Sequence, residues 1–495
     1  MTQSDSITNS IQHVYYKATE RNNKKRVWMQ GLKLEESGFS CGERFRTEYS
    51  TNEGTITLVA DKNGDRVVSG RKRKNSSTEA IVELFNTATL KVLGDANRVR
   101  ADFYNGSIVI SIHHHDRKQE EREARLIESI KQGTITKGSL CTGIGMAALA
   151  GHQGLSEGGL KSSLEWIVDR ERKYLQVAFE NNDAVTSRTK IFEASLEEIE
   201  PELLTPVDHM QVSLPCTGHS KSGKSKNKLA NAESHKTDAT ALFGLVKIIE
   251  AVNPSIIVSE NVPEARNSAS YTLLKAYLDA LGYNIHETEL NNQQSGSLEK
   301  RKRYWFVAVS KGLVDFDINT IKTYDRQYST VGDIIEAGHE WSDNQYLKDK
   351  AISDLAMGKG FANRNLITHE STSVNTIGRH YQKRRSTEPM LVNEAGKESL
   401  LSVNECAKVK SCPLGLIEGV VASTAYQGLG QGIDYNQGRG IAHCIGEYMM
   451  SLVLTVSHGI KREAVKTAVF AASAAKVTVG MQGSQSQHLE QQALF

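Results

Sequence analysis

The stretch VSLPCTGHSKSGKSK (Val212 to Lys226) carries a lone cysteine, Cys216, directly after a proline that closes an apolar run, ahead of a loop of Gly, Ser, His and Lys. A packing cysteine stays inside the apolar run. One placed at a strand end, with its pKa lowered by nearby positive charge or a helix N-terminus, could attack an electrophilic carbon. Taken alone, a cysteine in this setting is more often inert. IIVSENV then ends in Glu260 and Asn261, a second strand-end group where an acid commonly serves as a helix cap. Upstream, SLCTGIGMAALAG ends a strand at Leu140 or Cys141 and opens a helix, with Gly143 and Gly145 allowing a ligand close to the backbone. Asp169 ends the next strand, where an acid can hold a ribose hydroxyl. The pair favours an adenosine-containing cofactor, and since no Walker-type GK[ST] follows, ATP fits poorly.

These groups meet only if their strands end on one edge. From Lys137 onward, apolar runs alternate with amphipathic helices, as in SSLEWIVD, RERKYLQVAFENN, TDATALFGLVKIIEAV and SYTLLKAYLDALG. That alternation predicts βαβ units in an α/β, doubly wound, Rossmann-like and mainly parallel sheet, whose ligands sit at the carboxyl ends of the strands. Before it, residues 25–115 read as a small β-rich domain. Two similar hairpins there, the second turning at Asn105-Gly106, suggest an internal duplication. Ser77 to Leu93 between them has helical spacing. The charged run Asp116 to Gln132 predicts a solvated linking helix within 116–136, and residues 1–24 and 461–495 are expected to be flexible.

A chain of 495 residues has room for two or three domains, and 60 Lys and Arg against 58 Asp and Glu leave any nucleic-acid surface to local patches. The six cysteines show no CxxC spacing, which argues against a zinc site or a disulfide framework. There is no export signal and no apolar run long enough for a membrane span, so a cytoplasmic protein with no membrane partner is expected. His113, His114 and His115 would alternate faces in a regular strand and could not ligate one ion, so no metal is expected.

The order of these signatures resembles the DNA cytosine C5-methyltransferase family, whose members carry a FAGIGG-like loop, a Pro-Cys loop, a Glu-Asn-Val strand end, a QxRxR segment and a closing GN motif. Here these look like CTGIGM (Cys141 to Met146), PCTGHS (Pro215 to Ser220), ENV (Glu260 to Val262), EKRKR (Glu299 to Arg303) and LGQGI (Leu429 to Ile433). LLSVNECAKVKSCP (Leu400 to Pro413) is similar to the family's LTPRECARLQGFP. The resemblance covers about Lys137 to Val456 and implies a catalytic domain over 137–310 and 398–460, with a target-recognition region over 311–397 between them.

By resemblance, Cys216 would add to C6 of a flipped cytosine in duplex DNA, Glu260 would hold the N3 and amino edge, and Arg301 and Arg303 would contact the base and hold the catalytic loop. The implied cofactor is S-adenosyl-L-methionine, lined by Gly143, Ile144 and Gly145, with Asp169 on the ribose, Leu242 beside the adenine and Gln431 in the closing motif. Glu193 and Ser195 both remain candidates for the adenine amino group. Lys221 and Lys224 after Cys216 would meet phosphates, and Arg379, Arg384 and Arg385 in GRHYQKRRSTEP, with His380 and Tyr381 interleaved, form a candidate DNA-facing patch. A cognate restriction endonuclease is a candidate partner.

The sequence departs from the pattern at Ser139, Ala147 and Glu299, the last standing for the usual Gln, and GRGI (Gly438 to Ile441) competes with LGQGI for the closing motif. The N-terminal region resembles small swapped-hairpin β modules of AbrB and SymE type, many of which bind DNA. Alternative readings are an RNA cytosine methyltransferase and a catalytically silent DNA-binding or regulatory protein of the same fold.

Overall fold

The computed structural model describes residues 12–72, 78–215, 236–358 and 364–457; Cys216, Lys221 and Lys224 lie outside the described residues. The chain divides into two compact units, Met1–Glu121 and Arg122–Phe495.

The first unit is built from β1 (Gln12–Arg21), β2 (Lys24–Gln30), α1 (Leu32–Glu36), β3 (Arg44–Ser50), β4 (Thr55–Ala60), β5 (Arg66–Val67), β6 (Ser69–Lys72), β7 (Thr78–Asn86), α2 (Thr87–Leu93), β8 (Arg98–Tyr104) and β9 (Ser107–Ile112). Its strands pair in the order β5-β3-β4-β9-β8-β1-β2-β7-β6. The two ends of that order, β5 and β6, are separated in the chain only by Val68, so one run of chain pairs with both β3 and β7 and closes the sheet into a barrel. The halves hold equivalent places. Strand, short helix and hairpin recur as β2-α1-β3-β4 and β7-α2-β8-β9, β2 pairs β7, and β4 pairs β9. β1 gives its first part to β8 and its second to β2, as β5 and β6 are given to β3 and β7.

Two expectations fail in this unit. Gln12–Arg21 is a strand and not a frayed end, because Val14, Tyr16 and Ala18 alternate onto the barrel core. Thr78–Asn86 is a strand and not a helix: Ala80, Val82 and Leu84 are buried in the core while the backbone pairs with β2. The helix starts only where the Asn86 side chain caps the Thr89 amide at 2.7 Å.

α3 (His114–Lys131) runs across the boundary between the units. One face of it is buried and not solvated. Arg122, 2% exposed, donates to Ser310 Oγ at 2.8 Å and to the Leu281 and Gly282 carbonyls at 3.1 and 2.7 Å. Glu123 accepts from Ser310 Oγ and the Gly312 amide, and Arg125 donates to the Val207 and Asn253 carbonyls and pairs with the buried Asp208. The charges in this run clamp the base of the following sheet, with Leu126 and Ile130 buried beside them.

That sheet contains β10 (Thr134–Leu140), β11 (Lys161–Asp169), β12 (Lys190–Glu193), β13 (His209–Val212), β14 (Ile256–Asn261), β15 (Tyr283–Leu290) and β16 (Arg303–Ser310), in the order β12-β11-β10-β13-β14-β16-β15. β12, β11, β10, β13 and β14 are parallel, and β16 runs antiparallel to both β14 and β15. Hydrophobic clusters fill both faces, one with Ile256, Val258 and Trp305, the other with Leu140, Val212, Ile257 and Phe306. The fold is the expected doubly wound α/β arrangement. Crossover helices α4 (Met146–Glu157) and α5 (Arg172–Asn181) follow β10 and β11, and a small sheet of Asn365–Ile367, Pro389–Val392 and Glu398–Ser399 lies within the region between β16 and helix Val403–Val409.

Beneath α4, Lys137 on β10 is 1% exposed, donates to the Ala148 carbonyl at 3.4 Å, and lies across from His209 on β13. A Cβ at Gly151 would come within 2.6 Å of Lys137 Nζ, so this glycine makes room for the amine.

Two outcomes follow. A chain beginning at Glu121 keeps the α3 clamp, whereas one beginning at Lys131 loses it and leaves Asp208 and Ser310 without these partners. The shorter chain should lose about 3 kcal/mol or more in urea unfolding, and equal midpoints would show the clamp to be idle. Burial lowers the Lys137 pKa from 10.5 to about 7, so the cost of the buried charge is fully present below pH 7 and fades as pH rises toward 10.5. Lys137→Met should therefore stabilise the protein by roughly 1–3 kcal/mol at pH 6.5 and by less at pH 9, checked by thermal melts at both values.

Candidate active site

Because β10, β11, β13 and β14 are parallel, the segments after Leu140, Asp169, Val212 and Asn261 all leave one edge of the sheet. β16 is antiparallel, so its first residue, Arg303, arrives at that same edge.

After β10 the chain turns through Cys141 (φ 53°), Gly143 (φ 56°) and Gly145 (φ 85°), all in the left-handed region. A non-glycine residue there stores strain that the surrounding structure must hold. Cys141 is no competing nucleophile, since burial and then the Asp169 carboxylate push its thiol up to about 12. Asp169 Oδ2 accepts the Gly143 amide at 2.7 Å and Oδ1 accepts the Glu171 amide at 2.9 Å, while burial raises the carboxyl's pKa. Ser139, where the pattern has an acid, is buried and bonded to Thr142 Oγ1 at 3.0 Å. The Gly145 carbonyl accepts Asn182 Nδ2 at 2.9 Å, and a Cβ at Gly145 would sit 2.4 Å from that nitrogen. A Cβ at Gly143 would meet nothing within 4 Å, which leaves open space over this part of the loop.

These residues suit an adenosine-bearing cofactor. Each Asp169 oxygen keeps a lone pair for a ribose hydroxyl, and half-buried Leu242 packs on the same cluster as Cys141, Phe192 and Ala194. Three expectations change. Ile144 is 2% exposed and presses on Gly428, where a Cβ would lie 2.4 Å from Ile144 Cγ2, so only its backbone is available to a ligand. The Ser195 hydroxyl donates to Glu198 at 2.5 Å, whereas Glu193 is exposed at the strand end beside Asp169. Of the competing closing motifs, LGQGI ends helix Ala422–Gln431 against the start of α4, a Cβ at Gly432 coming within 2.9 Å of Met146. GRGI is absorbed into helix Tyr435–Ser457, and Gln431 itself is exposed.

On the other side of β10, Glu260 is 8% exposed and pairs with Arg303 Nε at 2.8 Å. Asn261 donates to the Leu214 carbonyl at 3.2 Å and to Tyr271 Oη at 2.9 Å, while its Oδ1 accepts the Val262 amide at 2.8 Å. It thereby anchors Leu214 and Pro215, the last described residues before Cys216. Arg301 is 4% exposed and its Nη1 lies 3.5 Å from Glu299 Oε1; Glu299 is buried against Lys410. Sequence reasoning assigned no role to Asn261 or Lys410. The former was visible in ENV, while the latter shows in the sequence only as a departure from the Gln of LTPRECARLQGFP.

The cationic segment splits. Tyr381 is fully buried, donating to the Pro389 carbonyl at 2.7 Å and accepting the Leu401 amide at 3.0 Å, so it belongs to the core and not to a DNA-facing patch. Arg379 turns to Glu171, 3.7 Å away and two residues past Asp169. Arg385 is exposed and Arg384 half-buried, with φ 47°.

The three histidines gather instead of alternating faces, because α3 begins at His114; their ligand atoms lie within 4.8 Å of one another. His113 Nδ1 already accepts the His115 amide at 3.1 Å, and burial followed by Arg98 drives its pKa down to about 4. The rings also stand at a helix N-terminus, which repels cations.

The family described as C-5 cytosine-specific DNA methylase matches residues 135–447, more than half of the chain. The chain belongs to the C-5 cytosine-specific DNA methylase family. Type II methyltransferase M.MspI of Moraxella sp is 24% identical over 244 residues, 48% of this chain and 56% of that protein. Type II methyltransferase M2.ScrFI of Lactococcus lactis subsp. cremoris is 25% identical over 162 residues, 32% of this chain and 43% of that one. The chain thus spans about half the length of these relatives. Among solved structures, the Entamoeba histolytica methyltransferase EhMeth is similar at 16% identity and a TM-score of 0.49, over 64% of this chain and 98% of that one. The C-5 cytosine-specific DNA methylase match runs from the second residue of β10 into helix Tyr435–Ser457 and includes none of the barrel's strands.

Within this candidate site, Asn261→Ala would leave the Leu214 carbonyl and Val262 amide without their partner. It should cost about 1–3 kcal/mol in urea unfolding, and an unchanged midpoint would mean that Asn261 anchors nothing.

Proposed function

We propose that the protein transfers a methyl group from S-adenosyl-L-methionine to C5 of a cytosine flipped out of duplex DNA. The single observation that carries this reading is the buried Glu260–Arg303 ion pair, set at the sheet edge where the chain runs on to Pro215 and Cys216. It agrees with family membership and with the Gly143–Asp169 cradle two strands away.

C5 of cytosine is a weak nucleophile until the ring's aromaticity is broken. In this reading the Cys216 thiolate adds to C6, and the electron pair of the C5–C6 bond moves toward C5 while Glu260 holds the N3 and amino edge. With one Glu260 oxygen fixed by Arg303, the other serves the base. S-adenosyl-L-methionine, held by the backbone of Gly143, Ile144 and Gly145, the Asp169 carboxylate and the Leu242 wall, supplies an electrophilic methyl group. Once C5 has taken the methyl, loss of its proton and expulsion of the Cys216 thiolate restore the aromatic ring and the enzyme. Arg301 contributes positive charge beside the base, and flipping is required because the ring atoms are unreachable within a stacked duplex. Of the adenine candidates, exposed Glu193 is preferred to Ser195, whose hydroxyl is committed to Glu198.

Residues 311–397 act as the target-recognition region. Arg384 and Arg385, with Lys221 and Lys224, face DNA, and Arg379 supports the cofactor side through Glu171. The barrel is read as a module of the swapped-hairpin type, a reading its two equivalent halves support, and serves as a second DNA-binding element. A restriction endonuclease of the same specificity is the partner this activity calls for. No helix among the described residues is long and apolar enough to cross a membrane.

Bisulfite sequencing of DNA from cells expressing the protein should reveal 5-methylcytosine in one sequence context. Cys216→Ala should abolish it while leaving the melting temperature unchanged. Full methylation by that variant would end the covalent mechanism, and no methylation by the parent protein would favour a silent DNA-binding protein.

A further inference from the structure

Glu299 and Lys410 are both completely buried, and Oε2 of one lies 2.6 Å from Nζ of the other. A buried ion pair is expensive to desolvate and is often replaceable by apolar residues without loss of stability, so stability alone does not account for it. Its neighbours indicate what it holds. Glu299 Oε1 accepts the Ile377 amide at 2.8 Å and lies 3.5 Å from Arg301 Nη1. Arg301 Nε and Nη1 have no hydrogen-bond partner among the described residues, so the Glu299 carboxylate is the counter-charge offered to them there. The backbone joins the same segments: the Glu299 amide donates to the Val409 carbonyl at 3.1 Å, and the Lys300 amide to the Val374 carbonyl at 2.7 Å.

These two positions are also where the motifs break together. Glu299 stands for the Gln of QxRxR, and Lys410 for the Gln of LTPRECARLQGFP. Two neutral residues are replaced by opposite charges, and those charges touch.

We infer that Glu299 and Lys410 are a matched positioning pair, in which Lys410 fixes the carboxylate so that it holds the Arg301 guanidinium and the Ile377 amide together. The pair ties a base-contacting arginine to the segment that opens the cationic part of the target-recognition region. This rests on the methyl-transfer reading for the role of Arg301.

Two double variants of the full chain separate positioning from mere packing. E299M/K410M removes the charges but fills the space, and E299Q/K410Q keeps an acceptor at position 299. Each is measured for thermal midpoint, for kcat and KM on duplex DNA, and for hydrogen exchange of the peptide containing Ile377. The Met pair should melt near the parent temperature, lose about tenfold or more in kcat with KM for S-adenosyl-L-methionine changed less than about twofold, and exchange Ile377 faster. The Gln pair should keep kcat within about threefold and keep Ile377 protected.

A folded Met pair with parental kcat and parental Ile377 protection overturns the inference, as does a folded Gln pair that loses as much as the Met pair. Should the Met pair not fold, E299K/K410E makes the same comparison, because it keeps the charges and moves the carboxylate away from Ile377. If the parent protein transfers no methyl, the functional reading fails, while Ile377 exchange still decides whether the pair holds the segment.

Discussion

An acid and a cation meet at 2.8 Å between Glu260 and Arg303 because one strand of an otherwise parallel neighbourhood runs backwards. Parallel strands send only their carboxyl ends to the edge where ligands bind, and those ends lead into loops and helices. β16 presents its amino end there, so the short run before it, Glu299 to Arg303, reaches the edge already committed to strand geometry. The pairing of Asn261 with Tyr304 fixes how far Arg303 can slide past Glu260. A slip of one residue would turn Trp305 and Phe306 onto the wrong faces of the sheet, and they are fully buried in different hydrophobic clusters. The position of the charged pair is thus set by the burial of two aromatic side chains on the same strand.

The edge is stabilised from the opposite end of the sheet as well. Asp208, without exposed side-chain surface, accepts the Thr136 amide and hydroxyl, each at 2.9 Å, and pairs with Arg125. Its carbonyl accepts the Ser255 and Ile256 amides. One residue therefore aligns the starts of β10, β13 and β14, and three strands started together deliver their ends together. This is why α3 uses charge where a hydrophobic helix would have served for packing alone: arginine satisfies several carbonyls at a strand-start edge, which no aliphatic side chain can do.

What the sequence made legible follows from whether the deciding interaction was local. The strand ends carrying Gly143, Asp169 and Glu260 were readable because alternating apolar runs and glycines mark them directly. Thr78–Asn86 was misread because Ala80, Val82 and Leu84 suit helix and strand alike, and only pairing with the distant β2 decides between them. The α3 charges read as solvated because their partners, Asp208, Ser310 and the Gly282 carbonyl, lie more than 80 residues away. Tyr381 looked like a member of a cationic patch, but its hydroxyl bridges Pro389 and Leu401 inside the core. GRGI competed for the closing motif because of its glycines, yet those at Gly438 and Gly440 are close-packing sites in a helix, where a Cβ would strike Ile433 and the Lys322 carbonyl. Cys216 owed its assignment to the order of the other motifs, and nothing in its own surroundings could have supplied it.

The segment proposed to recognise the target is fixed to the sheet-bearing part of its unit at three successive residues, each to a different part. Ile377 donates to Glu299 on the base side. The Gly378 carbonyl lies against Gly430 of LGQGI, so closely that a Cβ at Gly430 would be 2.3 Å from it. Arg379 reaches Glu171, next to the acid at the cofactor side. Beyond these anchors Tyr381 is sunk in the core, leaving Lys383 and Arg385 on the surface. A segment held at three points and then pinned by a tyrosine has little freedom to hinge. The spacing of its outer cations from the Glu260–Arg303 pair is therefore set by backbone packing, and under the proposed function side chains that read a sequence would vary on this mount without disturbing the chemistry beneath it.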